Sequence, residues 1–197
     1  GIPLATFTGA PLAQVMRGML RYSTNLTAEA TGMMATKVET GARRGLGTSA
    51  MSMRRWLSAR CGGIAPDFVD HSGLGDASRV TPAQTVQMLA APGVVATLEP
   101  ILRDITLVGD DDQVIARPGV SVKAKTGTRN FVSTLAGYVR SDQGRLLAFA
   151  IFASDLAARE AGKLEGTERP RGARTWNRRA RRLQQAIVKH LALGLPA

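Results

Sequence analysis

The first half of the chain has apolar residues at the spacing of α-helices. Residues 10–23 repeat them every three or four positions, which places them on one side of a helix. They are Leu12, Val15, Met16, Met19 and Leu20. Residues 25–39 continue as a second helix that Gly41 ends, and residues 48–63 indicate a third. Thr81 followed by a proline predicts the cap of a fourth.

The second half changes to the composition and alternation of β-strands. Three segments rich in β-branched and aromatic side chains are predicted as strands, at residues 119–128, 131–140 and 145–154. A four-residue turn at 141–144 joins the last two into a hairpin. The small residues Ala136 and Gly137 indicate that a helix packs closely on the middle strand.

The C-terminal part combines a predicted loop with a predicted helix. Residues 155–173 are rich in glycine and charge and are predicted to form a mobile loop, before the helix begins. We therefore expect an α/β (α+β) fold. Residues 1–110 would form a mainly helical lobe, and residues 111–197 antiparallel strands covered by the C-terminal helix.

Positive charge is concentrated at that helix. The chain carries a net charge of +11, and seven arginines fall within residues 169–182. Behind them runs a helical stripe of apolar residues, Trp176, Ala180, Leu183, Ile187 and Leu191. The arginines are predicted to face outward, either solvated or against an anionic surface such as lipid headgroups or an acidic polymer. Nucleic acid is disfavoured as a partner, because aromatic residues make up only 5 % and no binding motif is present.

Metal and cofactor chemistry finds little support in the composition. One cysteine, Cys61, excludes an intrachain disulfide, and His71 and His190 are too far apart for a zinc-type cluster. The run Asp110–Asp112 could bind a cation or form a polar turn between strands. No apolar run has the length of a transmembrane helix, and no signal peptide is visible. We expect no metal and no cofactor.

Two short motifs carry candidate chemistry. The first lies at the junction of two predicted helices and the second on a predicted strand. They are Ser23-Thr24-Asn25 and Lys125-Thr126-Gly127-Thr128. Ser-x-Asn followed by Lys-Thr-Gly forms two of the three signatures of β-lactamases and penicillin-binding proteins. Taken singly, each residue has an ordinary alternative, since serine and asparagine cap helices and a lysine can be a solvated charge on a strand.

The chain resembles the C-terminal part of low-molecular-mass penicillin-binding proteins. The type is the D-alanyl-D-alanine carboxypeptidase/endopeptidase that carries domains inserted in its catalytic domain. Four stretches follow that pattern in order, LRYSTNLTAE, DHSGLGDASRVTP, KAKTGTRNFVSTLAGYV and GRLLAFAIF. The resemblance implies a β-lactamase/transpeptidase-like fold and a periplasmic serine-type peptidase. Its substrates would be peptidoglycan stem peptides ending in D-Ala-D-Ala, and β-lactams would acylate it.

The resemblance also implies roles for the motif residues. Ser23 would shuttle a proton between the nucleophile and the leaving group, and Asn25 would donate its amide to a substrate carbonyl. Lys125 would supply positive charge toward Ser23 and the substrate carboxylate. The hydroxyls of Thr126 and Thr128 would bind that carboxylate.

The alternation of a strand adds a geometric expectation. Thr126 and Thr128 share one face, while Lys125 and Gly127 share the other. Gly127, without a Cβ, would let the substrate approach the strand edge, and the Thr128 amide would be one oxyanion donor. Arg129 stands where the family usually has an apolar residue and is either a further carboxylate contact or an exposed charge. The loop GLGDASR is assigned no role.

The first signature of the family, Ser-x-x-Lys, is absent from this sequence. The residues three positions before its lysines are Met34, Val120, Val122, Glu160 and Ala186. The resemblance therefore implies the C-terminal part of a longer protein, inactive without an N-terminal segment that supplies the nucleophile. Apolar surface left without that segment would favour self-association. Two alternatives remain: a non-catalytic module that binds peptidoglycan or an anionic surface, and a β-lactamase or esterase.

Overall fold

The computed structural model describes residues 5–109 and 113–194. The predicted acidic turn or cation site at Asp110–Asp112 lies outside the described residues. The helices are α1 (Leu12–Tyr22), α2 (Asn25–Thr40), α3 (Leu46–Arg60), α4 (Pro82–Leu89), α5 (Val94–Leu98), α6 (Leu156–Leu164) and α7 (Ala173–Leu193). The strands are β1 (Arg103–Asp104), β2 (Ser121–Arg129), β3 (Val132–Arg140) and β4 (Leu146–Ser154).

The four strands form one antiparallel sheet in the order β1-β2-β3-β4. β2 and β3 pair along their full length, from Ser121 opposite Arg140 to Arg129 opposite Val132. β1, which the sequence did not predict, pairs only with Lys123 and Ala124 of β2. Beyond Ala124, the outer edge of β2 therefore has no partner strand in the described part of the chain.

The predicted helices of the first half are confirmed, and one of them has a complete cap. The Thr81 hydroxyl accepts a hydrogen bond from the Gln84 amide at 3.1 Å, and the Gln84 side chain accepts one from the Thr81 amide at 2.9 Å. Between α3 and α4 the structure has an isolated bridge between Asp67 and Arg79. Within the loop that this bridge closes, the Asp70 carboxylate accepts hydrogen bonds from the Gly73 and Gly75 amides.

Helices cover both faces of the sheet. On one face, Val122, Ala124 and Val139 pack against Val188 and Ala192 of α7. On the other face, Tyr138 contacts Leu89 and Leu102, and its hydroxyl donates to the Leu89 carbonyl at 2.8 Å. Burial and the nearby Glu99 carboxylate raise the pKa of Tyr138 to about 12. This arrangement confirms the predicted fold, a helical lobe with an antiparallel sheet that the C-terminal helix covers.

The buried face of α7 differs from the predicted one. Its buried residues are Ala173, Asn177, Ala180, Gln184, Val188 and Ala192. Of the predicted stripe only Ala180 is buried, whereas Leu183 is 55 % exposed. The helix packs closely on the sheet through small and polar side chains, and the Ser133 hydroxyl donates to Gln184 Oε1 at 3.2 Å. The hydrophobic pattern therefore predicted a face of α7 that is rotated away from the face in contact with the sheet.

The segment predicted as a mobile loop contains a helix. Asp155 caps α6, since its carboxylate accepts a hydrogen bond from the Ala158 amide at 2.9 Å. The Asp155 amide in turn donates to the Phe131 carbonyl at 2.9 Å. Gly162 packs closely against Pro170, which leaves no room for a side chain. Tertiary contacts thus order a stretch whose glycine and charge content favoured a loop.

Candidate active site

The two motifs meet in space. Lys125 Nζ donates a hydrogen bond to Ser23 Oγ at 2.6 Å, although the two residues are 102 positions apart in sequence. Packing explains the contact. Ala136, which is opposite Lys125 on β3, belongs to the same apolar cluster as Leu20 of α1. This holds the end of α1, and with it Ser23, on the face of the sheet where Lys125 emerges.

Ser23 has a backbone conformation that side chains rarely adopt. Its φ of 54° and ψ of 50° are left-handed, and it forms the end of α1 just before α2 begins at Asn25. A non-glycine residue in this region costs about 1 kcal/mol or more, and such strain is concentrated at functional sites. The short junction fixes the direction of the Ser23 hydroxyl relative to the sheet.

Lys125 lies in an environment that disfavours its charge. Burial lowers the pKa of Lys125 below the ordinary 10.5, and the positive charge of Arg103 lowers it further. Its ammonium also donates to the Thr126 carbonyl. Arg103 comes from β1, opposite Ala124. Sequence reasoning missed Arg103, because a two-residue strand between loops leaves no periodic signal.

We expect this pKa to be measurable by NMR titration of the chain with reductively 13C-methylated lysines. One resonance should titrate with a midpoint below 10.5. Arg103→Gln should move that midpoint upward because it removes one of the two causes, whereas Arg145→Gln, at an exposed turn, should not. A Lys125 midpoint at or above 10.5 would contradict the described geometry.

Thr126 and Thr128 lie at the open edge of β2. The Val122 carbonyl accepts a hydrogen bond from the Ile105 amide at 2.8 Å, so the backbone groups of Val122 point away from β3. Alternate residues of an antiparallel strand direct their N–H and C=O to the same side. The backbone groups of Thr126 and Thr128 therefore also point outward, at an edge that no described strand covers. Both residues are exposed.

Gly127 is needed for a reason that the sequence did not give. A Cβ at this position would overlap the Thr134 hydroxyl on β3. The Thr134 side chain thus occupies the space beside Gly127 on the Lys125 face. A larger residue at this position would require the Thr134 hydroxyl to move.

Asn25 occupies the first position of α2, two residues after Ser23. Its side chain is exposed, and its amide makes no hydrogen bond to any residue that the structure describes. Both its donor and its acceptor are therefore available to a ligand near Ser23.

A loop that received no role joins the two motif-bearing elements. From α2, the Glu29 carboxylate accepts hydrogen bonds from the His71 and Ser72 amides, each at 3.1 Å. At the end of β2, Arg129 donates to the Leu74 carbonyl at 2.6 Å. Residues 71–74 therefore brace the Ser-x-Asn helix against the Lys-Thr-Gly strand. Short-range patterns could not show this, because the partners are 43 and 55 positions away.

Asp76 extends this brace to α6. Its carboxylate lies 3.3 Å from Arg129, 2.9 Å from Arg159 and 3.3 Å from Lys163. Hydrogen bonding from Lys163, the charge of Arg129 and hydrogen bonding from Arg159 hold the pKa of Asp76 below its ordinary 3.8. Arg129 is thus a partly exposed charge engaged with this loop.

Asp76→Asn is expected to loosen the loop and α6 at neutral pH. A lowered carboxyl pKa contributes stability that is present above pH 3.8 and is lost as the pH falls through the folded-state value. Amide hydrogen exchange should therefore speed up in residues 72–78 and 156–164 of the variant. Asp67→Asn, which breaks the exposed pair with Arg54, is the matched control and should leave those amides unchanged.

The described residues offer neither a metal cluster nor a membrane-spanning helix. Within 5–109 and 113–194, no group of His, Cys, Asp or Glu side chains could hold a metal ion. No helix in the same ranges has the length and apolar character needed to cross a bilayer.

Known structures have the same fold at low sequence identity. Penicillin-binding protein 4 from Haemophilus influenzae, in complex with a β-lactam, is 20 % identical with a TM-score of 0.60; the match covers 90 % of this chain and 42 % of that one. A predatory endopeptidase from Bdellovibrio bacteriovorus, in complex with an immunity protein, is 18 % identical with a TM-score of 0.56, covering 91 % and 44 %. A second one, acylated by penicillin G, is 17 % identical with a TM-score of 0.54, covering 92 % and 45 %. This chain thus spans less than half of each.

No curated protein matches the sequence. A family model, in contrast, matches most of it. The model is that of the D-Ala-D-Ala carboxypeptidase 3 (S13) family, and it matches residues 1–169, which include both motifs and the loop between them. The chain belongs to the D-Ala-D-Ala carboxypeptidase 3 (S13) family.

Proposed function

We propose that this chain forms the substrate-binding part of a serine-type D-Ala-D-Ala carboxypeptidase that acts outside the cytoplasm on peptidoglycan stem peptides. The hydrogen bond between Lys125 and Ser23 is the observation that carries the proposal. It joins the Lys125 ammonium, whose pKa is lowered, to the hydroxyl of Ser23, which has a strained backbone conformation at the helix junction. The family and the fold of the chain are those of penicillin-binding peptidases.

In the proposed reaction, Ser23 acts as a proton relay. A nucleophilic serine hydroxyl attacks the carbonyl carbon of the D-Ala-D-Ala bond, and the C–N bond breaks as the ester forms. The proton from that serine passes through the Ser23 hydroxyl to the departing amine. Lys125 donates to Ser23 Oγ, which leaves the Ser23 proton directed at the leaving group. Water then hydrolyses the ester and releases the shortened peptide.

Positive charge at the strand would hold the terminal carboxylate of the substrate. Lys125 and Arg103 repel each other in the free protein, and an anion between them would relieve that repulsion. Thr126 and Thr128 lie at the same exposed edge, with their side chains on the strand face opposite Lys125. A carboxylate at this edge would accept hydrogen bonds from the threonine hydroxyls in addition to the charge of the cations, which would favour a peptide that ends there over one that continues.

The open edge of β2 suits an extended peptide. Its outward backbone groups at Thr126 and Thr128 can pair with a substrate that adds as an antiparallel strand. In this position the Thr128 amide would donate to the oxyanion of the tetrahedral intermediate. Asn25, whose amide has no partner among the described residues, would donate to a carbonyl on the opposite side of the peptide.

The nucleophile would come from a segment outside these 197 residues, since they contain no Ser-x-x-Lys. An uncovered apolar groove on α1 and α2 supports this part of the proposal. It has a volume of about 730 Å³ and is lined by Leu12, Val15, Leu26, Met34 and Val38 among others. Leu26 and Val38 are 81 % and 82 % exposed. A helix with Ser-x-x-Lys packed there would bury this surface close to Ser23.

Labelling with a fluorescent penicillin tests the proposal. The chain alone should not be labelled, whereas the chain expressed together with a segment carrying Ser-x-x-Lys should form a stable covalent adduct. That complex should also release D-alanine from a peptide ending in D-Ala-D-Ala. Stable labelling of the isolated chain, or rapid turnover of penicillin without release of D-alanine, would contradict the proposal, the second in favour of a β-lactamase.

A further inference from the structure

Two hydrogen bonds define how α7 lies along the outer edge of the sheet. The Asn177 side chain donates to the Arg129 carbonyl, at the end of β2, at 2.9 Å. About two turns further along α7, the Gln185 side chain donates at 3.2 Å to the carbonyl of Thr106, which follows β1. Because β1 lies outside β2 in the sheet, the flank of α7 that carries Gln185 is turned toward the outer edge of β2.

Three arginines share this flank of α7. Arg174, Arg178 and Arg181 precede Gln185 by about three, two and one helical turns, which places them on the same side of the helix. All three are exposed, and none of them makes a hydrogen bond or an ion pair with any residue that the structure describes. The sequence of α7 contains no Asp or Glu that could balance their charge. These three residues are called the arginine flank below.

The arginine flank borders the part of β2 that no described strand covers. β1 pairs only with Lys123 and Ala124, and Thr126 and Thr128 are exposed at the edge beyond it. The side chains of these threonines point to the same face of the sheet as Ala124, which packs with Val188 of α7. Any ligand at the open edge that reaches toward this face of the sheet therefore approaches the arginines.

We propose that the arginine flank selects peptides that carry an acidic side chain upstream of the terminal D-Ala-D-Ala. The inference rests on the proposed function, in which the substrate adds to β2 as an antiparallel strand. The side chains of such a strand point alternately to the two faces of the sheet, so every second one is directed to the side of α7. A carboxylate there would pair with guanidinium groups, whereas the intervening side chains would lie on the face of Lys125.

Two other arginines of the same helix supply a matched control. At about 100° per residue, Arg174 and Arg181 lie about 80° and 60° around the helix from the buried Gln184, whereas Arg179 and Arg182 lie about 140° and 160° from it. Arg179 and Arg182 are also exposed, and they point away from the sheet. The variants Arg174→Gln/Arg181→Gln and Arg179→Gln/Arg182→Gln therefore remove equal charge from the same helix, but only the first removes it from the open edge.

Binding of fluorescent peptides to the full chain, measured by anisotropy, tests the proposal. Two peptides that end in D-Ala-D-Ala carry glutamate either three or four positions from the C-terminus, and each is compared with its glutamine version. Because strand side chains alternate, only one of the two glutamates should strengthen binding, by about three- to ten-fold. This gain should disappear in Arg174→Gln/Arg181→Gln and persist in Arg179→Gln/Arg182→Gln. The glutamine peptides should bind all three proteins equally, and circular dichroism would show that the variants are folded.

The contrary results separate this inference from the proposed function. Equal affinity of the native chain for the glutamate and glutamine peptides would overturn the inference alone. An equal loss of the gain in the two double variants would overturn it in favour of net charge. The same gain for an acidic peptide that ends in L-Ala-L-Ala would overturn it in favour of a general polyanion surface. Failure of every peptide to bind the native chain would contradict the proposed function, and the inference with it.

Discussion

Lys125→Ala is expected to lower the rate of acylation by penicillin about 1,000-fold in the chain combined with a Ser-x-x-Lys segment, because proton transfer through a positioned group contributes on the order of 10²–10⁴-fold. The substitution removes the donor to Ser23 Oγ, so the Ser23 hydroxyl loses its orientation toward the leaving group. It also removes one of the two cations proposed to hold the substrate carboxylate. Stopped-flow mixing with a fluorescent penicillin would measure the rate.

Lys123→Ala is the matched control for that experiment. Lys123 lies on the same face of β2, two residues earlier, but its ammonium pairs with Asp104 at 2.9 Å rather than with Ser23. Its removal should change acylation less than about two-fold, since exposed pairs of this kind are worth little. A loss as large in Lys123→Ala as in Lys125→Ala would show that charge on the strand, and not the contact with Ser23, determines the rate.

The Ser23–Lys125 contact could be predicted because its signal is local. Each motif is three or four residues long. The Ser-x-Asn motif lies at the helix junction before Asn25, and the Lys-Thr-Gly motif lies on the strand that begins at Ser121. The sequence predicts both of these elements clearly. The family pattern then pairs the two motifs. The brace through Glu29 and Leu74 has no such signal, since its hydrogen bonds end on backbone groups that any residue could supply.

The errors in the second half have a common physical origin. Close contacts between elements, and not hydrophobicity, determine where α6 forms and which face of α7 is buried. On α7, Gln184 is buried because Ser133 donates to it, while Leu183 next to it is exposed. On α6, Gly162 is required by the contact with Pro170. A hydrophobic pattern assigns large apolar residues to the inside and cannot identify faces that are buried through small residues.

Gly137→Ala is expected to lower the free energy of unfolding by about 2–3 kcal/mol, the range of overpacking in a closely packed core. A Cβ at Gly137 would overlap the Lys123 carbonyl and lie 2.7 Å from Ala124 Cα. The atoms nearest to this Cβ belong to the neighbouring strand β2. The predicted packing of a helix on the middle strand is also present, since α7 packs against Val139 of β3. Backbone atoms cannot rotate away as a side chain can, so β2 itself must move.

Gly18→Ala is the matched control for Gly137→Ala and should have the opposite sign. Gly18 lies inside α1 with no neighbouring atom within 4 Å of the position that a Cβ would take, so alanine should stabilise the chain by about 0.5–1 kcal/mol through helix propensity. Denaturant unfolding of both variants would measure the difference.

Because Ala124 precedes Lys125, a strand displaced by Gly137→Ala should also lengthen the contact with Ser23 and raise the pKa of Lys125 toward its ordinary value. Equal stabilities of the two variants would show that β2 and β3 yield at this point, and that the position of Lys125 is less rigid than the packing around Gly137 requires.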